Sequence, residues 1–261
     1  MIQAVTTPTH RREFARRLAG KPYFEATMGT ACTLFGEHPA SGWWFYLLPG
    51  TGALSLRGGT ATLCGRLPAG PAGEEAEEEL QGFLRFLRVD RLISEPAAPD
   101  GWQMTEPLLL WELPQGERLP LPPPPPQELY LETQPSMMPV SRLVFPHSTG
   151  EQEDFYSTAC TALTHGMGVC YALMDEAKTP VCTVASFARS TQEAYMSAGV
   201  TAPDWRGRGL AGWLIVRLAN TLTVRHTVRF ACVPALRTFY TRLGFHPCGE
   251  LSQFIRKWEE I

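Results

Sequence analysis

Five consecutive prolines at residues 122–126 constrain the fold of this chain more than any other feature of its sequence. Proline fixes its own φ angle and has no backbone N–H, so the run cannot join a helix or a central strand of a sheet. It forms a stiff, extended segment instead. We therefore predict two domains, residues 1–118 and 127–261, connected by a proline-rich linker at residues 119–126. A proline run can also bind an aromatic-lined groove of a partner protein, although spacers between domains are commoner.

The overall composition is typical of a folded, soluble protein. The chain has 261 residues, of which 44% are hydrophobic, and a formal net charge of −3. This balance does not indicate disorder, and it lacks the basic stripe of a nucleic-acid binder, so we expect no nucleic-acid partner. No stretch approaches the roughly 20 apolar residues that span a membrane, and the polar N-terminus lacks the apolar core of a signal peptide. We expect a cytoplasmic protein with no membrane partner.

The seven cysteines form no pattern that is typical of a metal site or of a set of disulfides. Their number is odd, no Cys-x-x-Cys pair occurs, and no cluster of Cys and His ligands is visible. Most of them lie among apolar residues. We therefore predict small buried side chains in a reducing compartment, and no metal cofactor.

The first domain is predicted to be a small α+β domain. Hydrophobic periodicity predicts helices at residues 10–18 and 74–88, the second with Leu80, Phe83 and Leu84 on its buried face together with Leu87. Short strand-like segments separated by glycine turns predict a meander of three strands, and two more strands follow the second helix. The five strands are predicted at residues 43–48, 53–57, 61–65, 92–93 and 108–111.

The second domain is also predicted to be α+β, with the order strand, helix, three strands, helix, strand, helix, strand. The central helix has Leu210, Leu214, Leu218 and Leu222 in register on one face. The last helix starts with a proline in its first turn and stops at Gly244. The predicted strands are residues 128–131, 169–174, 180–187, 193–201, 228–233 and 251–258, and the predicted helices are residues 151–165, 210–222 and 234–243.

One junction in the second domain is suited to binding a diphosphate. The strand predicted at residues 193–201 is followed by Pro203 and a glycine-rich turn, and an amphipathic helix begins at once. The first turn of a helix has unpaired N–H groups and carries partial positive charge. Gly207 and Gly209 let the backbone approach an anion closely, and Arg206 and Arg208 add positive charge. Such a junction binds phosphates, but it lacks the Gly-Lys-Ser/Thr of an ATP-hydrolysing P-loop.

Two motifs in order resemble those of the GNAT superfamily of acyl-CoA-dependent N-acyltransferases. The segment Arg-Gly-Arg-Gly-Leu-Ala at residues 206–211 resembles the Arg/Gln-x-x-Gly-x-Gly/Ala signature that holds the pyrophosphate of acyl-CoA. The segment Arg-Thr-Phe-Tyr-Thr-Arg-Leu-Gly-Phe at residues 237–245 resembles the last helix of that family. The resemblance covers about residues 127–261 and is strongest over residues 193–249. It implies a GNAT fold, in which helices flank a mixed, mostly antiparallel sheet.

The resemblance also implies a reaction, namely direct transfer of an acetyl group from acetyl-CoA to a primary amine while both substrates are bound. Tyr240 matches the tyrosine that often protonates the departing thiolate, and Glu193 lies where some members carry a catalytic glutamate. Tyr240 also belongs to an apolar stripe of its helix, so it can instead be a core residue. The implied residues for binding coenzyme A are Val200 and Thr201, through their backbone, and Arg206, Gly207, Arg208, Gly209, Leu210 and Ala211.

Several alternatives stay open. Val233 stands where the family often has a cofactor-contacting Asn, and Leu236 stands where a small residue is common. The first domain faintly resembles the same fold without the loop motif, so we predict a degenerate, non-catalytic GNAT-like domain. The expected partner is a small-molecule or protein amine. One alternative is a non-catalytic acyl-CoA-binding regulatory protein, and another is an aminoacyl transferase built from paired GNAT-like halves, which the net charge disfavours.

Overall fold

The computed structural model describes residues 1–95 and 101–256, which form two compact units. Among these residues, unit 1 comprises residues 1–95, 101–110, 231–237 and 247–256, and unit 2 comprises residues 111–230 and 238–246. Unit 1 therefore combines segments from both sides of the proline-rich linker. It does so because the C-terminal strand pairs with strands from the N-terminal part of the chain.

The described residues contain seven α-helices and 13 strands. The helices are α1 (Pro8–Leu18), α2 (Phe24–Phe35), α3 (Pro71–Phe86), α4 (Met137–Val144), α5 (Thr149–Thr164), α6 (Leu210–Leu222) and α7 (Arg237–Leu243). The strands are β1 (Gln3–Ala4), β2 (Trp43–Leu47), β3 (Ala53–Arg57), β4 (Thr60–Cys64), β5 (Arg91–Ser94), β6 (Trp102–Met104), β7 (Leu108–Leu113), β8 (Tyr130–Glu132), β9 (Val169–Met174), β10 (Pro180–Arg189), β11 (Glu193–Thr201), β12 (Thr227–Cys232) and β13 (His246–Arg256).

The sheet of unit 1 has the strand order β1-β2-β3-β4-β5-β13, and β6 pairs with β13. Its neighbouring strands are antiparallel except for β4 and β5. These two run parallel and stay paired over four positions, from Thr60 opposite Arg91 to Leu63 opposite Ser94. Three antiparallel strands followed by a helix and a parallel strand match the meander and helix that the sequence predicts for this part of the chain.

Helix α3 packs on this sheet through the face that its periodicity predicts. Leu80 and Leu84 are fully buried in a core that includes Leu54 and Leu92, and Phe83 and Leu87 pack against the same core. Burying each large apolar side chain contributes about 1.5–3 kcal/mol. The predicted buried face is therefore confirmed.

Helix α2 is missing from the sequence prediction. Buried residues lie on nearly every side of it, among them Phe24, Met28, Cys32 and Phe35. A helix that is apolar all round shows no amphipathic period, so the pattern that identifies surface helices does not reveal it.

The sheet of unit 2 has the strand order β12-β11-β10-β9-β8. Its neighbouring strands are antiparallel except for β11 and β12, which run parallel. Helix α6 packs on it, and the four leucines that the sequence places in register, Leu210, Leu214, Leu218 and Leu222, are all buried. The bounds of α6 agree with the prediction at both ends.

The main differences from the predicted second domain are an additional helix, the start of the last helix and the start of the last strand. Helix α4 was not predicted, because Pro139 interrupts the pattern; this proline lies in the first helical turn, where its missing N–H costs no hydrogen bond. The helix predicted at residues 234–243 begins as a 3₁₀ turn at Pro234–Leu236, and α7 follows. The last strand begins at His246 instead of residue 251, and the predicted residues 257 and 258 lie outside the described residues.

The cysteines agree with the prediction from composition. All seven lie in the described residues outside any disulfide, and five are buried, whereas Cys160 and Cys248 are half-buried. Among the described residues, every helix is too short or too polar to cross a membrane.

The proline-rich linker is fixed to unit 2 at its first residue. The Leu119 N–H donates to Asn220 Oδ1 at 2.9 Å, and Asn220 Nδ2 donates to the Leu119 carbonyl at 2.8 Å. The Leu119 side chain is buried, and the Gly116 N–H donates to the Thr223 carbonyl at 2.8 Å. The Asn220 side chain of α6 thus binds both the N–H and the carbonyl group of Leu119, the first residue of the linker.

Replacing Asn220 with alanine removes both hydrogen bonds to Leu119, so we expect the peptide bond after Arg118 to open more often. Trypsin should cleave after Arg118 several-fold faster than in the wild type, because cleavage requires local opening. The free energy of unfolding should fall by about 1–2 kcal/mol. Mass spectrometry of timed digests measures the cleavage at this bond. Val224→Ala, at a 60% exposed position nearby, is the control; equal cleavage in the two variants would contradict the role given to Asn220.

Candidate functional site

The junction between β11 and α6 has the geometry that its glycines predict. A 3₁₀ turn at Pro203–Trp205 follows the strand, and both Gly207 and Gly209 have a φ of +76°, which L side chains rarely adopt. Gly209 is the N-cap of α6, and no side chain caps this helix. A Cβ atom placed on either glycine would meet nothing within 4 Å. The positive end of the helix is therefore open to an anion.

The two arginines of the junction fold back onto its backbone. Arg206 Nε donates to the Thr201 carbonyl at 3.2 Å, and Arg208 Nη2 donates to the Asp204 carbonyl at 3.1 Å. The Arg208 guanidinium also lies 4.7 Å from the centre of the Trp205 ring, a cation–π distance. Both arginines are exposed. They close the turn and keep two positive charges beside the start of the helix.

Strand β11 loses its parallel neighbour before it reaches this junction. The register with β12 covers Glu193 to Tyr195 opposite Thr227 to Arg229, whereas β11 runs on to Thr201. On its other edge β11 stays paired with β10 as far as Thr201, which lies opposite Cys182. Among the described residues, β12 therefore leaves one edge of the second half of β11 uncovered. Backbone groups on such an edge are available to an extended ligand.

A bulge lies in the uncovered half of β11. Val200 pairs with Thr183 and Ser197 pairs with Ala185, so β11 has one extra residue between these pairs. Ala198, inside the bulge, has a φ of +54°, a strained conformation for a residue other than glycine. Bulges bend a strand and are over-represented beside active sites. Nothing in the sequence predicts the bulge, because an alanine gives no signal for positive φ.

Tyr240 lies on α7 inside a cluster of aromatic rings. Its ring centre is 4.4 Å from that of Phe230, 5.0 Å from that of Phe239, and 6.1 Å from those of Trp111 and Phe245. The residue as a whole is half-buried. Packing on several sides fixes the ring, so its phenol oxygen has a defined position. This environment suits a core residue and a positioned acid equally.

Comparison with solved structures identifies the architecture of the whole chain. A tandem GNAT protein from the clavulanic acid biosynthesis pathway is 15% identical, with a TM-score of 0.64, and the match covers 97% of each chain. A Drosophila protein is 10% identical with a TM-score of 0.68, and the match covers 98% of each chain. A GCN5-related N-acetyltransferase from Sphaerobacter thermophilus is 13% identical with a TM-score of 0.60, covering 100% of this chain and 97% of the other. The chain has a tandem GNAT fold. No family model and no curated protein matches the sequence.

The tandem GNAT fold confirms the predicted fold class, a GNAT fold preceded by a smaller GNAT-like domain. Among the residues that the structure describes, the glycine-rich junction belongs to unit 2. In unit 1 the equivalent segment between β4 and α3 is Gly-Arg-Leu-Pro-Ala-Gly at residues 65–70, and the helix that follows begins at Pro71 and has Glu74 in its first turn. Carboxylates at the start of a helix repel a diphosphate. The proposal that the first half is non-catalytic is consistent with this difference.

Glu193 lies far from the junction within the GNAT fold of unit 2. It is the first residue of β11, eight residues before Thr201, which corresponds to roughly 25 Å along a strand. Only 2% of Glu193 is exposed. Its Oε2 accepts a hydrogen bond from Arg229 Nη1 at 2.8 Å, and Arg229 also donates to Glu112 Oε2 at 3.0 and 2.9 Å. A carboxylate held in this way is poorly placed to take up a proton from a substrate.

In the ion-pair cluster of Glu193, Arg229 and Glu112, one guanidinium serves two carboxylates, so the positive charge of Arg229 is compensated in full. Burial acts to lower the pKa of Arg229, but the two carboxylates outweigh burial and raise it above the ordinary value for arginine. Glu193 is the more deeply buried of the two carboxylates, and Arg229 compensates its charge. The observed geometry thus favours a structural role for Glu193, and its role as a catalytic base stays a prediction. No group of three or more His, Cys, Asp or Glu residues in residues 1–95 and 101–256 is placed to hold a metal ion.

Replacing Glu193 with glutamine should lower the free energy of unfolding by about 1–3 kcal/mol, because Arg229 then has one carboxylate instead of two. Glu112→Gln is the matched control. Its side chain is 26% exposed, compared with 3% for Glu193, so water replaces the lost carboxylate and the loss should be smaller. Urea unfolding measures both variants. A Glu193→Gln protein that is as stable as the wild type, yet inactive, would instead support the catalytic role.

Proposed function

We propose that unit 2 is an N-acyltransferase that takes an acetyl group from acetyl-CoA and transfers it to a primary amine. The observation that carries this proposal is the open start of α6 directly after a strand with an uncovered edge. This combination supplies a binding place for a diphosphate and, beside it, one for an extended arm. Coenzyme A has both parts in the same order, and it supplies a thioester that an amine can attack.

The residues of the junction have the donors that a pyrophosphate requires. The N–H groups of Gly207, Gly209, Leu210 and Ala211 belong to the turn and the first helical residues, where no intrahelical partner exists. Arg206 and Arg208 add charge. The open space in front of both glycines supports the fit, since a side chain at either position would crowd the anion.

The uncovered edge of β11 supports the second part of the proposal. Backbone groups of Val200 and Thr201 lie just before the junction, and an extended amide-containing arm can pair with them as an added strand does. A backbone N–H near the thioester carbonyl would stabilise negative charge on its oxygen during the reaction. Both contacts use backbone atoms, so this step does not depend on the side chains at these positions.

Tyr240 is assigned the proton transfer. When the amine attacks the thioester carbonyl, a C–N bond forms and the C–S bond breaks, and the departing thiolate needs a proton. A tyrosine phenol is an acid of the strength range of an alkyl thiol, which makes this residue type a suitable proton donor to a departing thiolate. The aromatic cluster around Tyr240 supports this assignment by holding its ring in one place.

A non-catalytic acyl-CoA-binding protein is the alternative function. The pairing of Glu193 with Arg229 favours this alternative, because it engages the one carboxylate that the sequence offers as a base. Many acyl transfers need only a water chain to remove the proton of the amine, so the absence of a dedicated side chain does not decide between the two functions. Turnover decides between them.

Reversing the charges of the junction should weaken the binding of acetyl-CoA. In the double variant Arg206→Glu and Arg208→Glu, two carboxylates replace two cations beside the diphosphate site, so affinity for acetyl-CoA should fall at least about tenfold. Isothermal titration calorimetry measures the affinity. The matched control is Arg217→Glu with Arg225→Glu, which changes the net charge equally on exposed positions of the same helix and just after it. No binding by the wild type, or equal loss in the control, would remove the basis of the proposal.

Replacing Tyr240 with phenylalanine tests the proton transfer. The ring stays in its cluster, so acetyl-CoA should bind as in the wild type, whereas the rate of acetyl transfer should fall about a hundredfold or more. Release of free coenzyme A, followed with a thiol reagent against a panel of primary amines, measures turnover. Phe239→Leu is the control for packing in the same helix. Unchanged turnover in Tyr240→Phe would show that this tyrosine is a core residue only.

A further inference from the structure

A pocket of about 580 Å³ opens in unit 1 at the carboxyl ends of β4 and β5. Its walls include Leu63 and Arg66 after β4, Ser94 and Glu95 at the end of β5, and part of β13. Ligands of open α/β sheets bind at this edge, beyond the carboxyl ends of parallel strands. The volume lies within the range of about 300–1,000 Å³ that is typical of small-molecule sites.

The pocket of unit 1 lacks the two features that suit the junction of unit 2 to coenzyme A, an uncovered strand edge and an open glycine turn. Its strands β4 and β5 remain paired to their ends, at Leu63 and Ser94, so no strand edge is uncovered between them. The turn after β4 is also closed: Gly65 has a φ of +85°, and a Cβ atom there would lie 2.5 Å from the Thr51 carbonyl oxygen. The lining of this pocket therefore favours a ligand of a different class from coenzyme A.

The lining of the pocket combines an apolar floor with charges of both signs. Phe24, Leu110 and Leu251 are almost fully buried and form part of the floor. The charged side chains at the pocket are Lys21, Arg66, Glu95 and Glu250. Two cations and two anions around an apolar surface suit a ligand that is neutral overall, carries both charges and has apolar side chains.

Two of the four charges are available to a ligand. Lys21 Nζ and Glu95 Oε1 lie 3.7 Å apart, so these two side chains neutralise each other. Arg66 and Glu250 are both exposed, and neither side chain forms an ion pair with any residue that the structure describes. The backbone of Arg66 is fixed by Thr51, since the Arg66 N–H donates to Thr51 Oγ1 and the Arg66 carbonyl accepts from the Thr51 N–H.

A strained residue supports the wall of the pocket. Tyr23, between the lining residues Pro22 and Phe24, has a φ of +73° and a ψ of −53°, which is a costly conformation for a bulky side chain. It is buried, and burial raises the pKa of its phenol to about 12. Strained backbone of this kind persists where the surrounding structure enforces it and is concentrated at ligand sites.

We propose that this pocket binds a dipeptide-sized zwitterion, with the ligand carboxylate against Arg66, the ligand ammonium against Glu250 and its apolar side chains on the floor. A dipeptide suits the site better than a single amino acid does. Its two charges are further apart, and it must bridge two protein charges that do not touch each other. The proposal does not depend on acetyl transfer by unit 2.

The test uses the full-length protein and three forms of one probe: L-leucyl-L-phenylalanine, its N-acetyl derivative, which lacks the ammonium, and its C-terminal amide, which lacks the carboxylate. Saturation-transfer difference NMR measures their affinities without any coenzyme A. The zwitterion should bind about tenfold more tightly than either blocked form, because each blocked form loses one charge-assisted hydrogen bond.

Two variants locate the binding. Arg66→Gln should remove the preference over the amide and keep the preference over the N-acetyl form, and Glu250→Gln should do the reverse. Arg12→Gln and Glu75→Gln, at exposed positions outside the pocket, are the matched controls and should keep both preferences. Equal binding of the three forms, no binding at millimolar concentration, or unchanged preferences in both variants would each overturn the proposal.

Discussion

The half-buried contact between Arg229 and two carboxylates holds together the part of unit 2 on which its candidate site depends. Arg229 lies at the last paired position of β12, opposite Tyr195, and it reaches Glu193 at the first paired position of β11 and Glu112 on β7. The parallel pairing of β11 and β12 is only three residues long. Three paired positions hold two strands together only weakly. The contact between Arg229 and Glu193, at the same end of the strands, adds to the stability of this pairing. Beyond this point β11 can turn away, with the bulge at Ala198 and the helix start at Gly209 following in order.

The two units show how one fold gives different sites. In unit 1 the parallel strands are paired to their ends and a closed turn follows, so the space beyond them is a pocket with side-chain walls. In unit 2 the pairing stops early and an open turn follows, so backbone groups line the available space. Backbone groups recognise a part that is common to a class of ligands, such as a pyrophosphate. Side-chain walls instead select among ligands, and they change more readily by substitution.

Local patterns in the sequence predict the elements near the candidate site well. The helix at residues 210–222 follows from the spacing of its leucines, and the turn before it follows from Gly207 and Gly209. The fold class follows from the resemblance of the two motifs and is confirmed by the solved structures. Features that depend on distant residues were not predictable. Helix α2 is buried on most sides and shows no period, and nothing in the strand that contains Arg229 indicates that its partners are Glu193 and Glu112. The partner of the last strand cannot be derived from any local pattern either.

Because β13 is the last strand to be synthesised, the sheet of unit 1 stays incomplete until translation is almost finished. Gln253 on β13 lies opposite Ile93 on β5, and Phe254 lies in the core of unit 1 beside Leu92. The ribosome synthesises the first strands of this sheet long before it synthesises β13. During that interval the edge of β5 has no neighbour from β13, and the apolar groups around Leu92 lack part of their cover. Exposed edges and apolar surface are where nascent chains aggregate. The N-terminal half of this protein therefore depends on its C-terminal residues to complete its core. A ribosome that pauses late in translation would prolong the time during which the edge of β5 and the core around Leu92 are exposed.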